Sequence, residues 1–414
     1  MSYFTQISYA DSGSLDAFSR LRVSNPDTMF SVQCQYAAAA VQMEPFASGT
    51  GVTPAHNGDT RMVALSCTAG TGVSAFQSFQ YSPYAPGKSH FIAVTGVLGT
   101  GIAGVTADVG YFDALNGVIF RQNGITNLQL ILRTSTSGTV SDANIFAQSA
   151  WNIDKLDGAG PSGITLDVTK SFILIIDLQF LGMGRVRVGF DINGILYYVH
   201  QFENANNLAV PYMQSATLPI QMLLTATGSG ATKTSYFKCA SVISEGGNIT
   251  DYGYAMSTPS AAVTAGNGAR THLLSVRPKT TYNGLPNREM FILNNLNMVV
   301  TGAREVYWEM VVGAAFTVAP TYANINTTYS AYESGTGGTF GNLTTGAVLY
   351  SGYLGSATAS NVISREFDRK LSMHNPISLN RAGAVRAMGT LSLLVTGLGG
   401  TSTVQGNLNF TEIR

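Results

Sequence analysis

The chain has 414 residues, of which only 11% are charged, with 23 basic and 23 acidic residues that balance to zero net charge. This length predicts two or three domains, and the charged fraction is far below the roughly 25% of an ordinary soluble protein. A neutral chain of this kind gives no basic surface that could follow a phosphate backbone, so nucleic-acid binding is not expected. The abundance of glycine, small polar residues and aromatic residues is typical of β-rich assembly proteins rather than of metabolic enzymes.

The cysteines and the hydropathy pattern give no sign of secretion or of membrane insertion. Cys34, Cys67 and Cys239 are odd in number and far apart, so we expect free, buried thiols made in a reducing cytosol. The N-terminus lacks the basic and apolar regions of a signal peptide. No apolar stretch approaches the roughly 20 residues of a membrane-spanning helix.

The segment LDAFSRLRVSNP, residues 15–26, concentrates charge in a chain that otherwise avoids it. If it is extended, Arg20 and Arg22 lie on one face, and Asn25-Pro26 ends the segment. The arginines could pair with carboxylates of their own domain, or the segment could dock on a neighbouring subunit. We predict an extended N-terminal arm over residues 1–28 that contacts another chain. The predicted contact residues are Phe18, Arg20, Leu21 and Arg22.

Short apolar runs separated by turn residues every 8 to 12 positions predict an all-β protein. The clearest element is a hairpin over residues 185–202, where Asn193-Gly194 supplies the positive φ angles of a type I′ turn. Folding about this turn predicts five cross-strand pairs: Ile192 with Ile195, Phe190 with Tyr197, Val188 with Val199, Gly189 with Tyr198, and Arg187 with His200.

Other runs extend this pattern along the chain. The nearly unbroken apolar run SFILIIDLQF, residues 171–180, is typical of a central strand covered on both faces. Asn116-Gly117, Asn123-Gly124 and Asn283-Gly284 predict further turns. We therefore expect two antiparallel β-sandwich domains of jelly-roll type after the arm, over residues 29–245 and 269–414, with a linker at 246–268.

Two phosphate-binding motifs are only superficially present. The run GTGIAG, residues 99–104, matches GxGxxG, but that motif needs a helix directly after it to hold a pyrophosphate. The residues that follow, VTADVGYFDALNG, do not favour a helix. Gly87-Lys88-Ser89 resembles the end of a phosphate loop whose first glycine is replaced by Ser82, so we expect no nucleotide cofactor.

The residues that could carry catalysis are scattered. None of the five histidines has a metal-ligand partner at a helical or strand spacing, and we expect them to be satisfied by hydrogen bonds. Glu305 and Glu309 share a strand face but lie about 13 Å apart, too far for a glycosidase pair. Glu366 and Asp368 are closer, at about 7 Å along a strand, but basic residues flank them. A salt-bridge strip with Arg365, Arg369 and Lys370 is the favoured interpretation there.

A calcium ion is the remaining metal hypothesis. The loop WNIDKLDGAGPSG places Asn152, Asp154 and Asp157 in a glycine-rich segment with oxygen ligands of the right hardness. It lacks the regular alternation and the terminal glutamate of an EF-hand. A structured turn between strands is the favoured interpretation, with calcium as the alternative.

Three blocks of the sequence resemble a family of uncharacterised virion structural proteins of tailed bacteriophages. The blocks are SLDAFSRLRVSNPDTMF near the N-terminus, the long stretch from WNIDKLDG to ILYYVHQF (residues 151–202), and SVRPKTTYNGLPNREMFIL (residues 275–293). Members of that family often carry glycine where Ser19 stands here. The resemblance implies a component of the virus particle, made in the host cytoplasm, and it implies no catalytic residues.

The function predicted from the sequence is therefore that of a non-enzymatic structural component of a phage virion. It would be a head decoration protein or a neck or tail component, without cofactors, bound to other virion proteins and assembled as a homo-oligomer. The alternative is a tail appendage that binds or cleaves carbohydrate of the host surface.

Overall fold

A computed structural model of the chain describes residues 15–18, 21–22, 25–246, 253–343, 346–358 and 362–414, apart from a few side chains in its helix. Strands dominate these residues, as the sequence predicts. The chain divides into two compact units. Unit 1 comprises Met1–Ser78 and Ser82–Ile249, and unit 2 comprises Phe79–Tyr81 and Thr250–Arg414.

Unit 1 contains thirteen strands and one short 3₁₀ turn, Gln148–Ala150, in the part of the chain that the structure describes. The strands are β1 (Asp27–Gln33), β2 (Met43–Asn57), β3 (Met62–Ser78), β4 (His90–Val97), β5 (Val105–Phe112), β6 (Gly117–Asn123), β7 (Asn127–Thr134), β8 (Ser141–Ala147), β9 (Phe172–Leu178), β10 (Val186–Ile192), β11 (Ile195–Phe202), β12 (Ile220–Ser229) and β13 (Lys233–Ser244).

These strands form one antiparallel sheet that curls over its own inner face. Its main path runs β11-β10-β9-β4-β13-β3-β12-β5-β6-β7-β8, with β1 on β13 and β2 on β3. Phe120 of β6 lies 5.1 Å from Phe190 of β10, measured between ring centroids, so opposite arms of the sheet meet in one core. The end strands also meet, because Phe146 of β8 lies 4.5 Å from His200 of β11.

The β10–β11 hairpin confirms the predicted turn but not the whole predicted register. Asn193 and Gly194 have φ angles of 56° and 83°, and Ile192–Ile195, Phe190–Tyr197 and Gly189–Tyr198 are paired. Beyond Gly189 the register shifts by one residue, so Val188 lies opposite His200 and Arg187 opposite Gln201. The predicted Val188–Val199 and Arg187–His200 pairs are wrong because a β-bulge at Val199 adds one residue to β11.

Unit 2 contains fifteen strands, one helix and one 3₁₀ turn, Ala387–Gly389, within its described residues. The strands are β14 (Tyr254–Ser257), β15 (Ala261–Ala265), β16 (Thr271–Pro278), β17 (Thr281–Tyr282), β18 (Leu285–Pro286), β19 (Met290–Val300), β20 (Val306–Val312), β21 (Ala315–Val318), β22 (Thr321–Asn324), β23 (Tyr332–Thr336), β24 (Thr339–Asn342), β25 (Ala347–Leu354), β26 (Val362–Glu366), β27 (Leu391–Gly397) and β28 (Ser402–Ile413), and the helix is α1 (Arg369–His374).

Two larger sheets build unit 2 around a common core. One has the order β14-β28-β19-β26 with β15 on β28, and the other has the order β22-β23-β16-β27-β20-β25. Phe291 and Phe410 of the first sheet and Trp308 of the second belong to one buried cluster. The short hairpin β17–β18 turns at Asn283-Gly284, with φ angles of 50° and 78°, as its sequence predicts.

Candidate functional site

The described part of the predicted arm packs on unit 1. Leu15 and Ala17 are 3% and 2% exposed, and Leu15 forms an isolated bridge with Leu21. Strand β1 begins at Asp27, inside the predicted arm, and pairs with β13. Arg20 lies outside the described residues. Residues 15–18 and 21–22 are thus held against the outer side of the sheet, on the face opposite its apolar core.

A buried carboxylate holds the segment in place. Asp177 of β9 is fully buried, and its Oδ2 accepts hydrogen bonds from Arg22 (2.5 Å), from Arg187 of β10 (2.5 Å) and from the hydroxyl of Tyr198 of β11 (2.6 Å). Arg22 also pairs with Glu245 at 2.5 Å. These residues, Arg22, Asp177, Arg187, Tyr198 and Glu245, form what we call the anchor cluster.

Backbone and ring contacts complete the anchor cluster. The backbone carbonyl of Leu15 accepts hydrogen bonds from Arg22 Nε (3.0 Å) and from Arg187 (2.8 Å). Both arginines therefore bind the backbone of the segment. The Arg22 guanidinium lies 4.6 Å from the ring centroid of Phe91, and that of Arg187 lies 4.3 Å from the ring of Tyr198. Guanidinium groups suit this role because they combine several fixed donors with a flat face that packs on rings.

Burial and mutual charge set the protonation behaviour of the anchor cluster. Burial, and to a lesser degree Asp177, raises the pKa of Glu245, while its bond to Ser89 and the charge of Arg22 oppose the shift. Burial and the neighbouring Asp177 raise the pKa of Tyr198, which therefore stays protonated and donates to that carboxylate. The cluster is a network of charge-assisted hydrogen bonds, which are stronger than neutral ones.

The four predicted contact residues have different surroundings. Arg22 pairs with carboxylates of its own unit, the first of the two alternatives above. Leu21 is 49% exposed, and Phe18 is half-buried. A contact of Phe18, Arg20 or Leu21 with another chain stays a prediction.

Sequence reasoning missed Asp177 and Arg187, although both carried a signal. Asp177 is the one charged residue of the apolar strand β9, where the pattern predicts burial on both faces, and Arg187 lies on the polar face of the alternating strand β10. Buried charges in proteins are almost always paired. An ion pair between these two opposite charges on neighbouring strands could therefore have been predicted. Their contact with Arg22 could not, because it depends on how distant parts of the chain pack together.

Asn152 covers the free edge of the end strand β11. Its side chain donates to the carbonyl of Gln201 at 2.9 Å and accepts from the Gln201 amide at 2.9 Å, as a neighbouring strand would. The amides of Ile153 and Asp154 both donate to the carbonyl of Val199 at 3.1 Å. The backbone groups of an uncovered edge invite pairing with other chains, so this segment protects the sheet.

The rest of the predicted calcium loop is a closed turn. Both carboxylate oxygens of Asp154 accept backbone amides, Oδ1 from Leu156 and Oδ2 from Ser162, each at 2.9 Å. Asp157 accepts the amide of Ala159 at 3.0 Å. These bonds favour the structured-turn interpretation over calcium. No cluster of three or more His, Cys, Asp or Glu side chains suited to a metal occurs in the described parts of the chain.

A polar pocket of about 230 Å³ lies where the two end strands of the sheet meet. We call it the seam pocket. Its lining consists of Leu132, Asn144, Phe146, Asn152, His200, Gln201, Phe202, Glu203, Asn204 and Leu208. Apolar and aromatic groups form its inner wall, and amide and carboxyl groups form its rim.

His200 is the most constrained polar group of the seam pocket. It is 2% exposed, and its Nδ1 accepts the backbone amide of Asn152 at 3.2 Å, so the ring proton lies on Nε2. No described residue accepts that proton. Burial lowers the pKa of His200 to about 4, so the ring is neutral at physiological pH.

Of the other histidines, His90 and His272 are buried, His56 is half-buried and His374 is exposed. His272 bonds Ser275 at 2.6 Å and His56 bonds the carbonyl of Cys34 at 3.1 Å. His90 contradicts the expectation of hydrogen bonding, because neither ring nitrogen has a partner among the described residues. Its neutral ring packs instead 5.2 Å from Tyr84, and burial lowers its pKa to about 3.

The remaining sequence candidates do not assemble into a catalytic site. Strand β5 follows the GTGIAG run directly, where a dinucleotide site would need a helix. Both oxygens of Glu309 pair with Arg270, at 2.6 and 2.7 Å, and Glu305 lies outside the strand. Near Glu366 and Asp368, the Arg365 guanidinium lies 5.0 Å from the ring centroid of Tyr350. The side chains of Arg369 and Lys370 lie outside the described residues, so the salt-bridge strip stays a prediction.

Two neighbouring carboxylates of unit 2, Glu289 and Glu412, form a pair that was not predicted from the sequence. Glu412 is fully buried and accepts from Ser330 (2.5 Å) and from the amide of Ala331 (3.0 Å). Arg414 bridges Glu412 (3.4 Å) and Glu289 (3.1 Å). Burial and the nearby Glu412 raise the pKa of Glu289 to about 7, against the opposing charge of Arg414.

No family model and no curated protein matches the chain. Among solved structures, a protein of unknown function from Shewanella oneidensis MR-1 has a TM-score of 0.34 at 10% identity, covering 54% of this chain and 89% of its own. A glycosyl hydrolase family 16 protein from Mycobacterium smegmatis has a TM-score of 0.34 at 12% identity, covering 52% and 100%. A legume lectin-like domain from Entamoeba histolytica has a TM-score of 0.29 at 8% identity, covering 49% and 90%. In the described residues, the helices are too short and too polar to span a bilayer.

Proposed function

We propose that the chain is a non-enzymatic structural component of a tailed-bacteriophage virion, either a head decoration protein or a neck or tail component. In this proposal it consists of two antiparallel β-sandwich domains of jelly-roll type preceded by an N-terminal arm. It acts through contacts with other virion proteins, needs no cofactor, and binds neither nucleic acid nor membrane.

One observation carries the proposal: the residues of the phage-like blocks perform structural tasks. Arg22 of the first block meets Asp177, Arg187 and Tyr198 of the second in the anchor cluster. Asn152, also of the second block, covers the edge of β11. Residues that hold a segment and protect a sheet are the ones that a structural particle protein would retain.

The low charge of the chain fits extended subunit contacts. The cores of protein interfaces are poor in charged residues and rich in aromatic residues. Leu21 lies beside the anchor cluster and is 49% exposed, so it is held in place while remaining available to a partner. A segment that is fixed before it docks loses less conformational entropy on binding.

The proposal is tested by mass spectrometry of purified virions separated into heads and tails. We expect the protein in one fraction at a stoichiometry that matches a symmetric ring or lattice. Its absence from virions, together with its presence in the lysate of infected cells, would overturn the proposal. The fraction that contains it decides between head and tail.

The second candidate is the alternative above, a tail appendage that binds or cleaves host carbohydrate, and the seam pocket favours its binding half. A glycan-binding screen combined with a reducing-sugar assay on host surface polysaccharide separates the candidates. Sugar release that disappears when one carboxylate is replaced would make the protein an enzyme and contradict the structural proposal.

A further inference from the structure

We infer that the seam pocket is a binding site for one uncharged sugar unit, either free or at the end of a glycan. This inference concerns unit 1 alone and goes beyond the structural role proposed above. It is carried by the shape of the pocket, by polar groups on its rim that have unused hydrogen-bonding capacity, and by its aromatic wall.

The size of the seam pocket suits a single small ring. Its volume of about 230 Å³ is below the roughly 300–1,000 Å³ of pockets for drug-sized ligands. In the pocket wall, Phe146 and Phe202 pack edge to face with ring centroids 5.6 Å apart. Phe146 is half-buried, so part of its surface remains available to the apolar C–H groups of a sugar ring.

Three polar groups around the pocket have unused hydrogen-bonding capacity. The side-chain amide of Asn144 has no hydrogen-bond partner among the described residues, and it offers both donors and an acceptor. Glu203 accepts from Gln201 at 2.6 Å through Oε1, and its Oε2 has no described donor. The Nε2–H of His200 is a buried donor without an acceptor.

The charge of the lining selects against anionic ligands. Among the described residues that line the pocket there is no lysine or arginine, and Glu203 is the one charged residue. A phosphate or carboxylate would therefore meet an unfavourable field. A sugar hydroxyl both donates and accepts, so it can donate to Glu203 while it accepts from the side-chain amide of Asn144.

The neutrality of His200 gives the site a distinctive pH profile. The groups that face its ring from neighbouring elements are Phe146 of β8, Phe202 of β11 and the Asn152 backbone, and none of them titrates. Glu203 is the titratable group of the lining other than His200. Because the pKa of His200 is about 4, this ring stays neutral between pH 5.5 and pH 8 and should not make binding depend on pH in that range.

The test is saturation-transfer NMR and calorimetry of the full chain with glucose, galactose, mannose and N-acetylglucosamine and with their trimers. We expect at least one of these sugars to bind, and Asn144→Ala and Glu203→Gln each to weaken it about tenfold. Asn127→Ala, an exposed asparagine at the start of β7 outside the pocket, is the matched control and should leave the affinity unchanged.

Three results would overturn the inference. The first is the absence of binding across the panel. The second is binding that is equally strong in the Asn144→Ala and Glu203→Gln variants. The third is a crystal structure, soaked with a binding sugar, in which the pocket holds an ordered water only. Because both variants alter rim residues rather than the core, a loss of folding is checked directly by their thermal midpoints.

Discussion

The contribution of a single side chain is clearest at Arg22. Its side chain is 19% exposed, and it supplies donors to two carboxylates and to the carbonyl of Leu15. Removing one partner of a buried ion pair leaves the other charge uncompensated, which costs more than the pair contributes. Replacing Arg22 therefore shows whether the N-terminal segment is held on unit 1 by its ion pairs or by the packing of its apolar side chains.

We predict that Arg22→Ala lowers the free energy of unfolding by about 2–4 kcal/mol, measured by denaturant titration. Asp177 keeps Arg187 and Tyr198 as donors, so the loss should be smaller than for a pair with no other partner. Arg22→Lys, which keeps the charge but not the planar fork, should lose less. A change below about 0.5 kcal/mol for the alanine variant would mean that the pair behaves like an exposed surface pair.

The raised pKa of Glu289 predicts that the free energy of unfolding depends on pH. Its pKa of about 7 lies above the ordinary value of 4.5, so the folded state binds this proton more tightly than the unfolded state does. The resulting stabilisation is complete below about pH 4.5 and is lost as the pH rises through 7. Glu412, Arg414 and the buried Tyr332 are the titratable groups nearest to it.

The measurement is the thermal midpoint at pH 5 and at pH 8 for the wild type and for Glu289→Gln. We expect the wild type to lose more stability between these pH values than the variant does. Glu333→Gln, which changes a carboxylate paired with Arg277, is the control and should keep the wild-type slope. Equal slopes for the wild type and Glu289→Gln would contradict the prediction.

Among the elements, the β10–β11 hairpin shows which structural features a sequence pattern predicts and which it does not. The turn at Asn193-Gly194 is predictable because positive φ angles are nearly confined to such residues. The bulge at Val199 is not, because a bulge leaves the alternation of polar and apolar residues looking like an ordinary strand. The extra residue of the bulge, Val199, places His200 on the inner face of the sheet instead of the outer face. His200 lines the seam pocket because of this change of face.

Asn152 gives a prediction for the edge of β11. Asn152→Ala should lower the free energy of unfolding by about 1–2 kcal/mol, because it frees the amide and the carbonyl of Gln201. Asn152→Asp keeps an acceptor for the amide and should recover part of that loss. Calcium and a chelator should both leave the thermal midpoint of the wild type unchanged, and a rise with calcium would support the metal alternative.

At the scale of the whole molecule, the sequence predicts strand content better than it predicts sites. Local turn residues and apolar runs follow from short-range chemistry, so strands such as β9, β10 and β11 are foreseeable, whereas β14 and β15 lie in the stretch predicted as a linker. In the anchor cluster, Arg22 contacts Asp177 and Glu245, which lie 155 and 223 positions later in the sequence. No local sequence pattern predicts contacts over such separations. The Glu289–Glu412 pair was missed for the same reason.

Assembly is the property of the whole molecule that can be tested most directly. We predict a trimer or hexamer, so light scattering should give three or six times the 43.7 kDa chain mass, in solution or after addition of particle proteins. Leu21→Ser should reduce incorporation into virions without changing the thermal midpoint, because this side chain is half-exposed. Normal incorporation of this variant would count against the segment as a subunit contact.

The anchor cluster also fixes an order of events during biosynthesis. Arg22 leaves the ribosome early, but its partner Glu245 lies 223 residues later in the chain. At about 5–20 residues per second, the arginine waits roughly 10–45 s for that partner. The contact between Arg22 and Glu245 therefore forms well after the synthesis of Arg22, and in the meantime the apolar residues near Arg22 are accessible to chaperones or to other nascent copies.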